Sequence, residues 1–239
     1  GLVGANGSGK TTLARQLNGL LRPAAGRLLI DGEDAASWSV AKLAARVGLC
    51  FQQPDRQIFG RSVRDEVEFG PRRLGVSGED AFARVTSALE TVGLGKSLDQ
   101  HPADMGESRR KLLTIASVLA MATPVVVLDE PTTGLDRNGV ARVTWIVDEL
   151  RAAGRSVVLV SHDVRFVAEA CDRVAVLDGG CIVLEGTPAE VFDEAAWATL
   201  CAAGLEPPPA ALAGARLGLG STPTEAAIVE RLTTPKADR

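Results

Sequence analysis

Short apolar runs rich in Val, Ile and Leu alternate along the chain with segments of helical periodicity. Within each run the apolar residues are consecutive rather than alternate, which is the pattern of strands covered on both faces. These runs lie at residues 28–30, 47–51, 125–128, 157–160 and 174–177. Because they alternate with helical segments, we predict an α/β fold with a largely parallel sheet.

The remaining segments set the predicted domain organisation. Leucines at 13, 17, 20 and 21 mark one face of a first helix. The region of residues 53–120 has helical patterning, turns at Pro71 and Gly78 and no convincing strand, which predicts a helical insertion. Past residue 193 the chain is rich in Ala, Leu and Pro, with a weak helix near 226–232. We therefore predict a core at 1–52 and 121–195, a helical subdomain at 53–120 and a C-terminal extension at 196–239.

Composition narrows the classes of function. The 239 residues are 46% hydrophobic and carry a net charge of -4 without a block of like charges, which disfavours a nucleic-acid-binding role. The longest weakly charged stretch, 112–128, is shorter than the roughly 20 apolar residues that span a bilayer. The four cysteines are scattered without a C-x-x-C pair, so we expect small core residues rather than zinc ligands or disulfides.

Residues 4–11 read G-A-N-G-S-G-K-T, a complete G-x-x-x-x-G-K-T loop before the first predicted helix. Its glycines let backbone N–H groups and the helix N-terminus face a phosphate group. Lys10 is expected to reach the β- and γ-phosphates, and the Thr11 hydroxyl group to bind Mg²⁺. The predicted nucleotide-binding residues of this loop are Gly4, Asn6, Gly7, Ser8, Gly9, Lys10, Thr11 and Thr12. Since Gly1 enters the motif almost at once, we expect a domain truncated at its N-terminus.

Residues 125–130, V-V-V-L-D-E, predict a buried strand that ends in two carboxylates. Asp129 would lie at the carboxyl edge of the sheet, where open α/β sheets bind ligands, and could hold the Mg²⁺ water shell. Glu130 would lie outside the first metal shell and act as the general base for a water molecule. An apolar strand that ends in Asp-Glu is equally typical of a solvated strand end, but the phosphate loop upstream favours the functional interpretation.

The order of three further motifs resembles that of the ATPase subunits of the ABC superfamily, and the resemblance covers residues 1–192. Phe51-Gln52 ends a predicted strand, P-T-T-G-L-D occupies 131–136, and V-S-H-D occupies 160–163. The resemblance implies a P-loop NTPase core of RecA-like, ABC type. It implies that Gln52 senses Mg²⁺ and the attacking water, that Asp136 crosses a dimer seam to the partner's phosphate loop, and that His162 hydrogen-bonds the γ-phosphate. His101, the other histidine, is expected to be structural.

Within the superfamily, residues 51–59 and 65–71 are similar to the corresponding stretches of energy-coupling-factor importers. The resemblance implies prokaryotic uptake of vitamins or transition-metal ions and a location on the cytoplasmic face of the membrane. The implied partners are a second ATPase, a transmembrane coupling subunit that docks in a groove of the helical insertion, and a separate membrane substrate-binding subunit. The alternative interpretation of Asp65, Glu66 and Glu68 is a solvated helix face.

The signature loop of the family, Leu-Ser-Gly-Gly-Gln, falls here on M-G-E-S-R at 105–109. Gly106 removes the serine hydroxyl group that binds the partner's γ-phosphate, and Ser108 replaces the second glycine. Glu107 adds a negative charge that would oppose phosphate binding if its side chain points inward. The side chain could instead point outward, or Arg109, Arg110 and Lys111 could offset its charge. Ser108 could supply a hydroxyl group from a shifted position. We therefore predict an asymmetric heterodimer, with a homodimer as the alternative.

Three other functions remain open on sequence alone. The chain could be the ATPase of an ordinary ABC importer or exporter. It could be a nucleotide-dependent regulatory clamp with weak hydrolysis, since its signature loop departs from the family pattern. An ABC protein that acts on DNA or ribosomes is disfavoured by the acidic balance and by the absence of a long coiled-coil insertion.

Overall fold

A computed structural model describes residues 1–234, which form two compact units. The first comprises residues 1–10 together with the chain from residue 159 onward, and the second comprises residues 11–158. The predicted division into a core, a helical subdomain and a C-terminal extension follows different boundaries and stays a prediction. The helices and strands, in chain order, are β1 Leu2–Val3, α1 Lys10–Leu17, β2 Leu29–Ile30, β3 Glu33–Asp34, α2 Val40–Ala44, β4 Val47–Cys50, α3 Val63–Arg73, α4 Gly78–Thr91, α5 Glu107–Ala120, β5 Val125–Asp129, α6 Arg137–Ala152, β6 Ser156–Val160, α7 Val164–Ala170, β7 Val174–Asp178, β8 Cys181–Gly186, α8 Pro188–Val191, α9 Trp197–Ala202, α10 Pro209–Arg216 and α11 Glu225–Thr233.

In the first unit, β1 lies between β7 and the end of β6. Leu2 pairs in parallel with Val160 on one side and with Ala175 on the other, and β7 pairs with β8 in antiparallel orientation. The predicted strands do not include β8, although residues 181–184 read C-I-V-L and form an apolar run whose first three residues are exposed. Two signals could have found it: this run, and the Gly179-Gly180 pair before it, whose φ angles of 53° and 83° suit the turn of a hairpin.

In the second unit, β4 and β5 form a parallel pair in which Val47 lies opposite Val125 and Cys50 lies opposite Leu128. All four residues of β4 are buried, and so are the last four of β5. The apolar runs at 47–51 and 125–128 are therefore strands, as predicted, and their carboxyl ends lie side by side.

The apolar run at 28–30 behaves differently from the others. It forms β2, which pairs in antiparallel orientation with β3 in a separate two-stranded sheet. The prediction of a strand covered on both faces is wrong here, since Leu29 is 52% exposed. Asp31 and Gly32 both adopt positive φ angles, 52° and 80°, and this turn folds the run back on the next residues as a hairpin.

The predicted helical insertion is present as α3, α4 and α5. Helix α3 begins after Ser62, whose side chain accepts a hydrogen bond from the Asp65 N–H at 3.1 Å. Pro71 lies inside α3 rather than at the predicted turn, because a proline near the end of a helix removes only one backbone hydrogen bond. The chain turns after Arg73, at Gly75, where φ is +83°.

Glu66 on α3 holds the loop that precedes this helix. It is 3% exposed, and its Oε2 atom accepts hydrogen bonds from the N–H groups of Phe59 at 2.9 Å and Gly60 at 2.8 Å. A Cβ atom on Gly60 would lie 2.6 Å from the Glu66 nitrogen, so this close approach requires glycine. Glu66 therefore does not lie on a solvated helix face.

The composition also leads to expectations about the cysteines and about membrane-spanning helices. Cys50 is buried, as predicted for a small core residue, whereas Cys181 and Cys201 are exposed on β8 and α9. Across residues 1–234, no helix combines the length and the apolar character needed to cross a membrane.

Candidate functional site

The phosphate loop belongs to the first unit and follows β1. A Cβ atom on Gly4 would clash with the Leu177 carbonyl oxygen and the Ser8 hydroxyl group, so the loop can pass here only with glycine. Gly9 adopts φ +105°, a conformation that also favours glycine. Lys10 is 7% exposed, and its Nζ atom donates to the carbonyl oxygens of Gly4 at 2.7 Å and Ala5 at 2.9 Å. The lysine ammonium group therefore lies against the loop that it follows.

The loop also carries a buried polar atom suited to a ligand. Ser8 is 5% exposed, and its Oγ atom has no hydrogen-bond partner among residues 1–234. Buried hydroxyl groups without a partner are uncommon and suggest a group that the loop is built to bind. The hydroxyl group, the exposed Asn6 and Gly7, and the Lys10 ammonium group fit an anionic phosphate chain.

The second unit brings together the three residues predicted to bind the metal. Thr11, Gln52 and Asp129, with Arg15, line one cavity of about 500 Å³. The Thr11 hydroxyl group donates to Asp129 Oδ2 at 3.0 Å. Asp129 is 3% exposed, and its Oδ1 atom has no hydrogen-bond partner within the described chain. A hydroxyl oxygen and a carboxylate with a spare oxygen are the hard ligands that Mg²⁺ takes, so these residues fit that ion.

The electrostatics of Asp129 agree with a metal-binding role. Burial raises the pKa of its carboxyl group above the ordinary value, and the hydrogen bond from Thr11 lowers it. Repulsion from Glu130 raises the pKa further, while Lys111 and Arg15 lower it. Thr11, Lys111 and Arg15 offset the buried negative charge of Asp129 only in part, and a divalent cation would offset the rest.

Glu130 directly follows Asp129 and has an uncommon backbone conformation. It is 6% exposed and adopts φ +49°. For a residue with a Cβ atom this conformation costs roughly 1–2 kcal/mol, and such strain concentrates at functional positions. Its Oε2 atom accepts a hydrogen bond from the Thr133 hydroxyl group at 3.4 Å. This hydrogen bond is one contact that orients the carboxylate.

The signature loop lies at the start of α5, where Gly106 is the N-cap and has no side chain to cap the helix. Glu107 and Gly106 are exposed, and Glu107 Oε1 lies 3.5 Å from where a Cβ atom on Gly134 would stand. The Ser108 hydroxyl group donates to the Gly134 carbonyl oxygen at 2.9 Å. Within this chain, the signature loop therefore contacts the P-T-T-G-L-D segment.

The three cations that could offset Glu107 have other partners. Arg109 donates to the Ser97 hydroxyl group at 2.6 Å, and Arg110 lies 3.7 Å from Asp55. Lys111 points into the core, where its ammonium group donates to backbone carbonyl groups; the sequence does not predict these contacts. The detectable signal was a lysine at the helical spacing of the buried residues Thr114, Ile115 and Val118.

The remaining predicted residues have clear local positions. Asp136 caps α6, because its Oδ1 atom accepts a hydrogen bond from the Gly139 N–H at 2.7 Å. His162 is exposed in the first unit, two residues after the end of β6, and Thr12 follows Thr11 in α1. His101 caps a single helical turn by accepting a hydrogen bond from the Ala103 N–H at 3.1 Å, which fits its expected structural role.

The phosphate loop, the parallel strands and the strand-terminal carboxylate define a P-loop nucleotide-binding protein. Residues 1–133 match the family model described as ABC transporter. The energy-coupling factor transporter ATP-binding protein EcfA2 of Symbiobacterium thermophilum is 42% identical over 195 residues, which are 80% of this chain and 68% of that protein. This chain therefore belongs to the family of ABC transporter ATP-binding proteins.

Two further relatives match most of this chain but less of their own length. The energy-coupling factor transporter ATP-binding protein EcfA of Methanothermobacter thermautotrophicus is 41% identical over 196 residues, 81% of this chain and 63% of that protein. A relative in Methanosarcina acetivorans is 44% identical over 213 residues, 89% of this chain and 34% of that protein. The chain thus spans about a third of the length of the second relative.

Solved structures confirm the predicted fold. CbiO1 from Clostridium perfringens, part of the ABC transporter complex cbiONQ, is 34% identical with a TM-score of 0.73 and covers 83% of this chain and 81% of its own. The ATP-binding cassette MJ0796, solved as a dimer with ADP and Pi, has a TM-score of 0.69 at 24% identity and covers 78% of this chain and 83% of its own. The second likeness concerns the fold alone.

Proposed function

We propose that this chain hydrolyses Mg²⁺-bound ATP to drive a membrane transporter. The observation that carries the proposal is the hydrogen bond between Thr11 and Asp129, beside an unpartnered carboxylate oxygen. Lys10 and the loop glycines would hold the β- and γ-phosphates, and Thr11, Gln52 and Asp129 would hold Mg²⁺. When bound, Mg²⁺ supplies positive charge that neutralises the phosphate oxygens.

Hydrolysis in this proposal needs a residue that accepts a proton from the attacking water and a residue that donates a hydrogen bond to the γ-phosphate. Glu130 takes a proton from the water that attacks γ-phosphorus in line, while the bond to the β-γ bridging oxygen breaks to release ADP. His162 donates a hydrogen bond to the γ-phosphate. The strained backbone of Glu130 supports this role, because such strain concentrates at functional positions.

We propose that the working form is an asymmetric dimer with a second ABC ATPase. The side chains at 106–108 suit γ-phosphate binding poorly, because Gly106 has no hydroxyl group and the Ser108 hydroxyl group binds Gly134. Asp136 would meet the phosphate loop of the partner across the seam. A regulatory clamp with weak hydrolysis is the second candidate function, since the same signature loop favours it.

We propose import of a small nutrient, a vitamin or metal ion, by a transporter of the energy-coupling-factor type. The two EcfA relatives and the cbiO1 neighbour support this subclass over an ordinary ABC importer or exporter. Docking of a membrane coupling subunit is supported by a cavity of about 270 Å³ in the helical insertion, lined in part by Ile58, Phe59 and Pro102. Phe59 is 63% exposed and contacts Phe69 edge-on with ring centroids 4.6 Å apart.

Uptake measurements test the transport proposal. The protein is co-expressed with the products of neighbouring genes for a second ATPase and for membrane subunits. It should co-purify with them from the cytoplasmic face of the membrane. The cells should take up labelled vitamins or metal ions. Export activity or assembly with a conventional permease alone would favour the ordinary ABC transporter. ATP binding without any coupled turnover would favour the regulatory clamp.

A further inference from the structure

Helix α5 carries a buried lysine whose ammonium group lies among three backbone carbonyl groups. The Lys111 Nζ atom is 2.6 Å from the carbonyl oxygen of Gln52, 3.3 Å from that of Phe51 and 3.5 Å from that of Asp129. Lys111 is 2% exposed. An ammonium group has three N–H donors and no acceptor, so its hydrogen-bonding capacity matches these three acceptors.

The three carbonyl groups lie where two neighbouring strands end. Phe51 and Gln52 follow β4, Asp129 is the last residue of β5, and these strands pair along their length. A buried carbonyl group beyond the end of a strand ladder needs a donor from elsewhere. Lys111 supplies that donor from the second turn of α5, so one side chain joins the helix to the ends of both strands.

A second set of hydrogen bonds holds the same loop to α5. The Phe51 N–H donates to Gln57 Oε1 at 2.9 Å, and Gln57 Nε2 donates to the Thr114 carbonyl oxygen at 3.2 Å. The Thr114 hydroxyl group donates to the Lys111 carbonyl oxygen at 2.7 Å. The backbone at Phe51 is thus bound to α5 through both its N–H and its carbonyl group, which makes the helix and the loop one connected structure.

Burying an ammonium group is unfavourable unless hydrogen bonds and opposite charges compensate it. Burial lowers the pKa of Lys111 below its ordinary value, while Cys50, Asp129, Glu130 and Glu107 raise it. Packing alone would not require a charged residue here, because an apolar side chain of similar length would fill the volume without this cost. The carbonyl contacts are what distinguish a lysine at this position.

We propose that Lys111 is a positioning residue for the Mg²⁺ site, fixing the backbone of Gln52 and of Asp129 to the helix that begins at the signature loop. The inference rests on the proposed magnesium roles of Gln52 and Asp129. A displacement of the N-terminus of α5 reaches both residues through one ammonium group. The signature loop of this chain is thereby coupled to the metal site of the same chain.

Nucleotide binding by the full chain tests this inference. A fluorescent ATP analogue is titrated against the parent and Lys111→Met, once in EDTA and once along a Mg²⁺ series. The variant keeps a long unbranched side chain and loses all three donors. We expect unchanged affinity in EDTA and a half-saturating Mg²⁺ concentration raised about tenfold, the scale seen when a group that orients a metal ligand is removed. Lys96→Met, at an exposed lysine of the same insertion, is the matched control and should match the parent.

Lys111→Gln keeps a polar head group and replaces the methionine variant if that variant does not fold; it too should raise the Mg²⁺ requirement. A folded Lys111 variant with the parent's Mg²⁺ response overturns the inference, and so does equal loss of affinity in EDTA and in Mg²⁺. Asp129→Asn separates the two proposals. If it leaves the Mg²⁺ response unchanged, the proposed metal site is wrong; if it abolishes that response while the Lys111 variants do not alter it, only the role of Lys111 is wrong.

Discussion

The Thr11 hydroxyl group donates a hydrogen bond to Asp129 Oδ2 at 3.0 Å, although 118 positions separate the two residues in the chain. Thr11 is the second residue of the first helix, and Asp129 is the last residue of a buried strand. Their contact brings together two of the residues proposed to bind Mg²⁺. Two ligands that are already held in contact reduce the ordering that metal binding would otherwise impose.

Asp129→Asn should stabilise the protein in EDTA at neutral pH. Burial raises the folded-state pKa of this carboxyl group above its ordinary value of 3.8, so the folded chain binds the proton more tightly than the unfolded chain does. The free energy of unfolding of the parent should therefore rise as the pH falls from the raised pKa of the folded state to the lower pKa of the unfolded state. At pH 7.5 the carboxylate is ionised and should destabilise the fold. Asparagine removes that charge and leaves a carbonyl oxygen for Thr11.

Thermal unfolding between pH 4 and pH 8 measures this effect. The melting temperature of Asp129→Asn should exceed that of the parent at pH 7.5, and the difference should shrink as pH approaches 4. Added Mg²⁺ should raise the melting temperature of the parent only. Asp148→Asn, at an exposed carboxylate of α6, is the control. A difference that does not change with pH, or equal stabilisation of both proteins by Mg²⁺, would count against the account of Asp129.

Restoring the signature loop should raise turnover in a homodimer. The triple variant Gly106→Ser, Glu107→Gly, Ser108→Gly supplies the serine hydroxyl group and removes a negative charge near the phosphate. We expect at least about a tenfold gain in steady-state ATP turnover, equivalent to roughly 1.4 kcal/mol of barrier. Loss of the Ser108 bond to Gly134 should cost only about 1 kcal/mol of stability. Fast turnover by the parent homodimer would refute the predicted asymmetry.

Replacing Phe59 should weaken coupling to the membrane partner. Phe59→Ser removes an exposed ring that lines the proposed docking cavity, and we expect affinity for the coupling subunit to fall by about tenfold, a common loss when an aromatic interface residue is truncated. ATP binding should not change. Phe82→Ser, at a phenylalanine of α4 that is 56% exposed, is the matched control. Equal effects of the two substitutions on co-purification would argue against a docking site at Phe59.

Strand ends explain why much of the candidate site is predictable from the sequence. Parallel strands bring their carboxyl ends to one edge, so the apolar runs before Gln52 and Asp129 predict that these residues lie near each other. The structure agrees, since both line the cavity that contains Thr11. Patterning fails at β2, because two consecutive positive-φ residues decide its pairing more strongly than its apolar run does.

Contacts made by single long side chains are what the sequence does not predict. Lys111 and Glu66 are charged helix residues, yet both are buried. Lys111 binds backbone groups 59 and 60 positions away, and Glu66 binds the backbone of the loop before its own helix. The bond from Ser108 to Gly134 is equally hidden, since it depends on how two loops approach each other. Such contacts follow from tertiary packing, which local periodicity does not encode.

The most direct test of the account is ATP turnover of the chain in complex with its second ATPase, compared between the parent and Glu130→Gln. Both proteins should bind ATP equally, and the variant should lose about 100-fold or more of turnover, the scale expected when a general base is removed. Glu79→Gln, at an exposed glutamate of α4, should turn over ATP like the parent. Turnover by Glu130→Gln at the parent's rate would contradict hydrolysis by this site and leave the regulatory clamp.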